Sequence, residues 1–345
     1  MKKIAIALTL ALSATGAAHA TERGQVRALN GAAGAEISSP QFPGLYGQFW
    51  LQQYSADTFK DANGKNPVTS QATPLGTVLI ERGGKLDATA FVPRLTWLTD
   101  TRFGEGKFGI SAALPLVQID QQVRLTARGA DASVSPAAVA SVQAQVNPLA
   151  ARASGKQSGL GDMEVMPYID WQTDTYRYAF GLGVVAPTGD YDPKRPVNTG
   201  TGNFWTFRPL AVGSYVFDGG IEMGVRATYS FNTKNKDTNN KSGEYFAADY
   251  SVHYKLSDSW KLGAQGFANI QTTHDRCAAD TPQALATRPA NNCGLVRAYG
   301  LGPVGSWTSE DGRVFVDFKV LREFAVQNRP QGTVFWLRAN FRLDQ

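Results

Sequence analysis

From residue 44 onward, apolar residues alternate with polar or small ones in one segment after another. In "GGIEMGVRATYSFN", Ile221, Met223, Val225, Ala227, Tyr229 and Phe231 fall on one side, and Glu222, Gly224, Arg226, Thr228 and Ser230 on the other. In "TYRYAFGLGVV", Tyr176, Tyr178, Phe180 and Leu182 oppose Arg177, Ala179 and Gly181. At the C-terminus, Phe335, Leu337, Ala339 and Phe341 oppose Trp336, Arg338, Asn340 and Arg342. A period of two is the signature of a strand with one apolar and one polar face. Twelve such strands can be placed, at 44–54, 86–98, 107–118, 162–172, 175–186, 204–216, 220–231, 244–255, 260–272, 294–307, 313–325 and 333–343. Most exceed the five or six residues typical of soluble sheets.

The links between strands narrow the choice. "QTD", "FDG", "KLSDS" and "SEDG" are tight turns, whereas 55–85, 119–161, 187–203, 232–243 and 273–293 are long and polar. Long and short mostly alternate; "QNRPQGT" is a short exception. A sandwich has no reason to collect its long loops at one end, but an outer-membrane barrel does. There the apolar face meets lipid and the polar face lines a lumen, which lets charged residues sit mid-strand opposite aromatics. It also reconciles a membrane location with a mean hydropathy of −0.25. Closure satisfies the backbone groups that lipid cannot. The expected fold is therefore all-β: a transmembrane antiparallel outer-membrane β-barrel of about 12 strands, with both termini on the periplasmic side.

The opening "MKKIAIALTLALSATGAAHA" has two lysines, a short apolar run and Ala18-His19-Ala20, the pattern of a secretory signal peptide cleaved after Ala20. The expected organisation is a signal peptide at 1–20, a periplasmic or lumenal N-terminal segment at 21–43, and a barrel at 44–345. A formal charge of +5 without a basic block argues against a nucleic-acid partner. Cys277 and Cys293 lie in a polar segment of an exported chain, where a disulfide closing an external loop is the expectation.

"VAPTGDYDPKRPVNTGTGNFW" has the glycines of a phosphate cradle, but no helical periodicity follows them. It reads as an external loop between two strands, with Tyr191, Phe204 and Trp205 as girdle aromatics. Around it, "SGLGDMEVMPYIDW", "APTGDYDP", "NTGTGNFWTFRP", "FNTKNKDTNNKSGEYFAADY", "GLGP" and "NRPQGT" follow in order. This series resembles the outer-membrane family named for the meta-pathway of phenol degradation, over most of residues 40–345. The resemblance implies a β-barrel channel that takes up hydrophobic or aromatic compounds. The chain ends "FRLDQ" rather than on an aromatic, so Phe341 is the expected closing aromatic for the outer-membrane assembly machinery.

Candidates for a permeation path are the polar-face side chains Arg94, Arg177, Arg208, Glu222, Arg226, Asp249, Lys261, Arg297 and Arg338. Tyr168, Tyr299 and Trp336 join them as aromatic surfaces for an apolar solute. Lys or Arg at mid-membrane on the lipid face costs about 2–4 kcal/mol, which argues that these residues face inward. The alternative role for each is an ion pair that knits the wall and selects nothing. "DASVSPAAVASVQAQVNPLAAR" at 131–152 repeats valines every three or four residues and suggests a short helix, either in the mouth or on the outer surface. No nucleophile elbow accompanies His253 or His274, so no enzyme is expected. Asp237 alone among asparagines makes a poor calcium loop, and neither metal nor cofactor is expected. Two functions remain: a passive channel for small hydrophobic or aromatic solutes, or a surface barrel with a filled lumen. The expected partners are outer-membrane lipid and the solute itself.

Overall fold

The computed structural model describes residues 27–276 and 295–344. The alternating segments become strands β1 (Gly44–Phe59), β2 (Val68–Thr73), β3 (Gly76–Phe103), β4 (Gly106–Ala113) and β5 (Leu116–Gly129). Helix α1 (Pro136–Ala153) follows, then β6 (Gly155–Leu160), β7 (Glu164–Gln172), β8 (Tyr176–Val185), β9 (Thr206–Val216) and β10 (Ile221–Asn232). The chain continues as β11 (Tyr245–Lys255), β12 (Trp260–Gln271), β13 (Arg297–Thr308), β14 (Val314–Gln327) and β15 (Pro330–Arg342). The sheet closes because β1 pairs with both β15 and β3, so that Phe49 lies opposite Ala339 on one side and Pro93 on the other. The strands form twelve antiparallel staves, since β4 with β5 and β6 with β7 are single interrupted staves. β2 folds back on β3 outside this count.

Turns at 104–105, 173–175, 217–220, 256–259 and 309–313 gather at one end, with the start of β1 and the end of β15. The Leu343 N–H donates to the Leu45 carbonyl at 2.7 Å there. Longer connections, among them 186–205 and 233–244, occupy the other end, with the two-residue link 328–329 between β14 and β15 as a short exception. The outward face carries Phe49, Trp97, Phe180, Leu182, Phe207 and Leu337, all exposed, while Asp317, Lys319 and Arg338 on the inward face are buried. An apolar exterior around a charged interior inverts the pattern of a water-soluble domain.

Two interruptions face each other in the wall. One stave breaks at Leu114–Pro115, where proline offers no N–H to the ladder. Its neighbour breaks at 161–163, and β8 pairs with β7 but not with β6. The 186–205 connection covers this edge: the Asp190 N–H and the Thr199 hydroxyl each donate to the Leu160 carbonyl at 2.9 Å. Gly189 and Gly200 cross here backbone to backbone, and a Cβ on either would lie 2.6 Å from the other. The glycines of this loop thus permit a chain crossing. Trp205 stays outward, but Phe204 turns in and is buried, contrary to its expected place in the girdle.

Helix α1 starts on Ser135, whose hydroxyl accepts from the Ala137 N–H at 3.3 Å, with Pro136 in its first turn. Its Ala138, Val142 and Val146 pack on Val78, Ile80 and Ala127. These lie on the same face of the β3–β5 ribbon as Ala90 and Val92, in a stretch that extends beyond its pairing with β1. The helix thus covers the inner face of a projecting ribbon.

Candidate functional site

Residues 27–43 thread the lumen. Small residues in "ALNGAAGAEISS" let the backbone itself approach the wall, and the wall's polar side chains bind that backbone. The two carboxylate oxygens of Asp249, on β11, accept from the Gly31 and Ala33 N–H groups at 2.7 and 3.0 Å. Gln265 donates to the Gly31 carbonyl at 2.8 Å and Lys319 to the Ala32 carbonyl at 2.9 Å. The indole N–H of Trp336 donates to the Asn30 carbonyl at 3.1 Å. The strap's backbone groups at Asn30, Gly31, Ala32 and Ala33 thus find partners on the wall, while the Ala32 N–H bonds within the strap to the Leu29 carbonyl, and these bonds offset desolvation.

A single 3-10 turn, Ala35–Ile37, carries the strap's one carboxylate among these contacts. Arg338 donates from Nη1 to Glu36 Oε1 at 2.6 Å and from Nε to Asp317 Oδ1 at 2.8 Å. Burial works against the Glu36 charge, but the Arg338 guanidinium more than compensates and holds the carboxyl down at about 2. Arg177 pairs with Asp170 and donates to the Ile37 carbonyl at 3.1 Å. Glu222 accepts from Ser38 and from Lys261, both at 2.6 Å. At the far end of the strap, Arg27 pairs with Asp162 at 3.1 Å and covers the Phe204 ring at 3.8 Å. Arg208 pairs with Glu164 at 2.9 Å and donates to the Arg27 carbonyl.

On the long-loop side of the strap lies a cavity of about 360 Å³. Leu29 and Ala32 of the strap form part of its lining; Ala88, Ala90, Val92 and Val117 give an apolar wall. Arg94, Arg208, Arg226 and Glu164 form a charged flank, and Lys60, Pro67 and Asn328 border it too. Its size falls within the range of small-molecule sites.

The structure places Arg94, Tyr168, Arg177, Arg208, Glu222, Arg226, Asp249, Lys261, Trp336 and Arg338 on the inward face. Tyr168 covers Gly109, where a Cβ would meet its ring at 2.4 Å. Arg297 and Tyr299 correct the expectation: both point outward, and Tyr299 stacks on the exposed Phe324 at 5.9 Å. The reason is local. Phe267 and Leu321 point inward and are fully buried, against Gly31 of the strap, so the interior is apolar here and polarity no longer reports facing. Cys277 and Cys293 lie outside the described residues. The strap's backbone contacts and the apolar wall at Ala88–Val92 were not singled out from sequence; small residues at alternate positions were their one trace.

Comparison with solved structures finds the COG4313 outer membrane channel from Pseudomonas putida F1, with a TM-score of 0.64 and 14% identity over 92% of this chain and 99% of that one. The Pseudomonas putida toluene transporter TodX matches with a TM-score of 0.39 and 8% identity, over 90% and 95% of the two chains. The Ralstonia pickettii toluene transporter TbuX matches with a TM-score of 0.39 and 9% identity, over 95% and 98%. No curated protein matches the sequence. The family described as "Putative MetA-pathway of phenol degradation" matches residues 56–339. With that match spanning most of the barrel, the chain belongs to this family, and its fold is that of an outer-membrane β-barrel.

Proposed function

We propose that this barrel admits small hydrophobic or aromatic solutes across the outer membrane by diffusion, with no energy coupling. The observation that carries the reading is the cavity: an apolar wall beside a charged flank, on the long-loop side of the strap. Such a compartment suits a solute that is mostly apolar with a polar end. The toluene transporters among the similar structures fit the same reading of solute class. In this view the strap at 27–43 closes the direct aqueous route, and the solute reaches the cavity from outside. The test is deletion of the gene, which slows growth on a limiting aromatic carbon source and leaves growth on succinate unchanged.

A second reading has its own support. So many lumen side chains are committed to the strap that a permanently filled barrel with a surface role is physically coherent. Normal growth of the deletion strain on every aromatic tested, with a purified protein that passes no solute, selects this reading.

A further inference from the structure

The cavity's charges do not balance. Seven basic side chains line it against four acidic ones. Three of those acids already hold a close basic partner: Asp162 has Arg27 at 3.1 Å, Glu164 has Arg208 at 2.9 Å and Glu323 has Arg329 at 3.2 Å. The fourth, Asp249, gives both oxygens to the Gly31 and Ala33 N–H groups.

Three inward guanidiniums are left under-used; Arg82, on the projecting part of β3, lies over the Phe59 ring at 5.0 Å, and the other two flank Glu164 in the cavity lining. Arg94, on β3, donates once, to the Ser111 hydroxyl at 2.5 Å, and its Cζ sits 4.9 Å from the Trp50 ring. Among the described residues it has no carboxylate within ion-pair distance. Arg226, on β10, reaches Asp249 only at 3.8 Å and makes no side-chain hydrogen bond among the described residues. Each guanidinium carries five N–H donors in a planar fork that matches a carboxylate. Arg94, Arg226 and Glu164 all line this one cavity. Ala88, Ala90, Val92 and Val117 supply the apolar surface of the same cavity.

Given the uptake reading above, on which this inference rests, we propose that the cavity binds a small aromatic carboxylate, its ring on the apolar wall and its carboxylate received by Arg94 and Arg226. A pure hydrocarbon would strip water from both guanidiniums and return no acceptor, and an alcohol would return only an uncharged one. A carboxylate returns up to two, as charge-assisted hydrogen bonds. An inorganic anion would satisfy the arginines but leave the apolar wall unused.

The test compares benzoate with benzyl alcohol, similar in size and differing in charge, by calorimetric titration of the purified full-length barrel in detergent. Benzoate is expected to bind at least about tenfold more tightly, as one or two charge-assisted hydrogen bonds dictate. The double substitution Arg94→Gln, Arg226→Gln removes that preference and leaves benzyl alcohol binding as it was. The lysine pair, Arg94→Lys with Arg226→Lys, restores part of it. Equal binding of the two probes to the wild type overturns the carboxylate assignment while leaving the uptake reading intact. Binding of neither removes both. A benzoate preference that survives the glutamine pair shows that other groups carry it and overturns the assignment to Arg94 and Arg226. If the glutamine pair fails to reach the folded, heat-modifiable form, the wild-type ratio and the lysine pair decide.

Discussion

Arg338 on the last strand grips Glu36 of the lumenal strap, 302 positions earlier in the chain, at 2.6 Å. Asp317 holds the same guanidinium from β14, so the strap's carboxylate docks on an arginine already fixed in place. Glu36→Gln removes the charge from this contact and leaves the wall's own Arg338–Asp317 pair. Removing a single partner of a buried ion pair is strongly destabilising, by about 3–5 kcal/mol in other proteins. Here the Asp317 pair moderates that loss, and the strap is the part that gives way. Glu36→Gln is expected to open the channel more often in single-channel recordings, and deletion of residues 27–43 to raise conductance outright. Unchanged currents from both would place the barrier elsewhere.

The same contact sets a pH dependence. Glu36 is held at about 2, below the ordinary 4.5, by Arg338 against the cost of burial. A carboxyl depressed in the docked state stabilises docking fully above its ordinary value and loses that contribution as pH falls toward about 2. Arg338 and Lys319 are its basic neighbours, and Arg94 and His253 also feel its charge. Channel opening is expected to stay flat from neutrality down to about 4.5 and to rise between there and about 2. The rise should be missing in Glu36→Gln. A rise centred near pH 6 in the wild type would point to a different titrating group.

How far the sequence revealed this depended on what the lumen contains at each place. Along β10, lipid lies outside and charged side chains lie inside, so alternation assigned Glu222, Arg226 and Met223 correctly. Along β13 the inside is filled by Phe267, Leu321 and the strap, and the rule failed for Arg297 and Tyr299. The strap itself binds largely through backbone N–H and carbonyl groups of Asn30 to Ala33, which any small-residue stretch offers; its sequence carries no motif. The helix was legible from its valine spacing, but its place on the inner face of the β3–β5 ribbon depended on the long extension of β3, which alternation from 86 to 98 did not include.

Facing can be tested at adjacent residues. Val225 is outward and exposed, and Val225→Arg should cost about 2–4 kcal/mol in a reversible unfolding measurement. Gly224 faces inward, but a Cβ there would already lie 3.0 Å from the Ile37 side chain. Gly224→Arg is therefore expected to spare barrel formation on heat-modifiable gels and to displace the strap, raising conductance. Equal loss of the folded form from both substitutions would contradict the assigned faces.

Helix α1 contributes no side chain to the cavity lining among the described residues. Deleting residues 133–150 should therefore leave single-channel conductance close to that of the full chain. A clear increase would show that the helix restricts the mouth and would shift the barrier from the strap to the projecting ribbon.

The cavity itself can be closed from within. Ala90, on β3, is buried, inward and part of the apolar wall. Ala90→Trp adds a large ring into a space of about 360 Å³ already bounded on one side by Leu29 and Ala32. Overpacking of a tight interior costs about 1–3 kcal/mol, but an added ring that enters open volume costs less. The barrel should therefore assemble normally, as read by heat-modifiable mobility, with the strap still docked and basal conductance unchanged. Growth on a limiting aromatic carbon source should fall to the level of the deletion strain, while growth on succinate is unaffected. Full growth of the Ala90→Trp strain on the aromatic source would show that the solute bypasses this cavity, because the ring leaves little apolar wall for a second occupant.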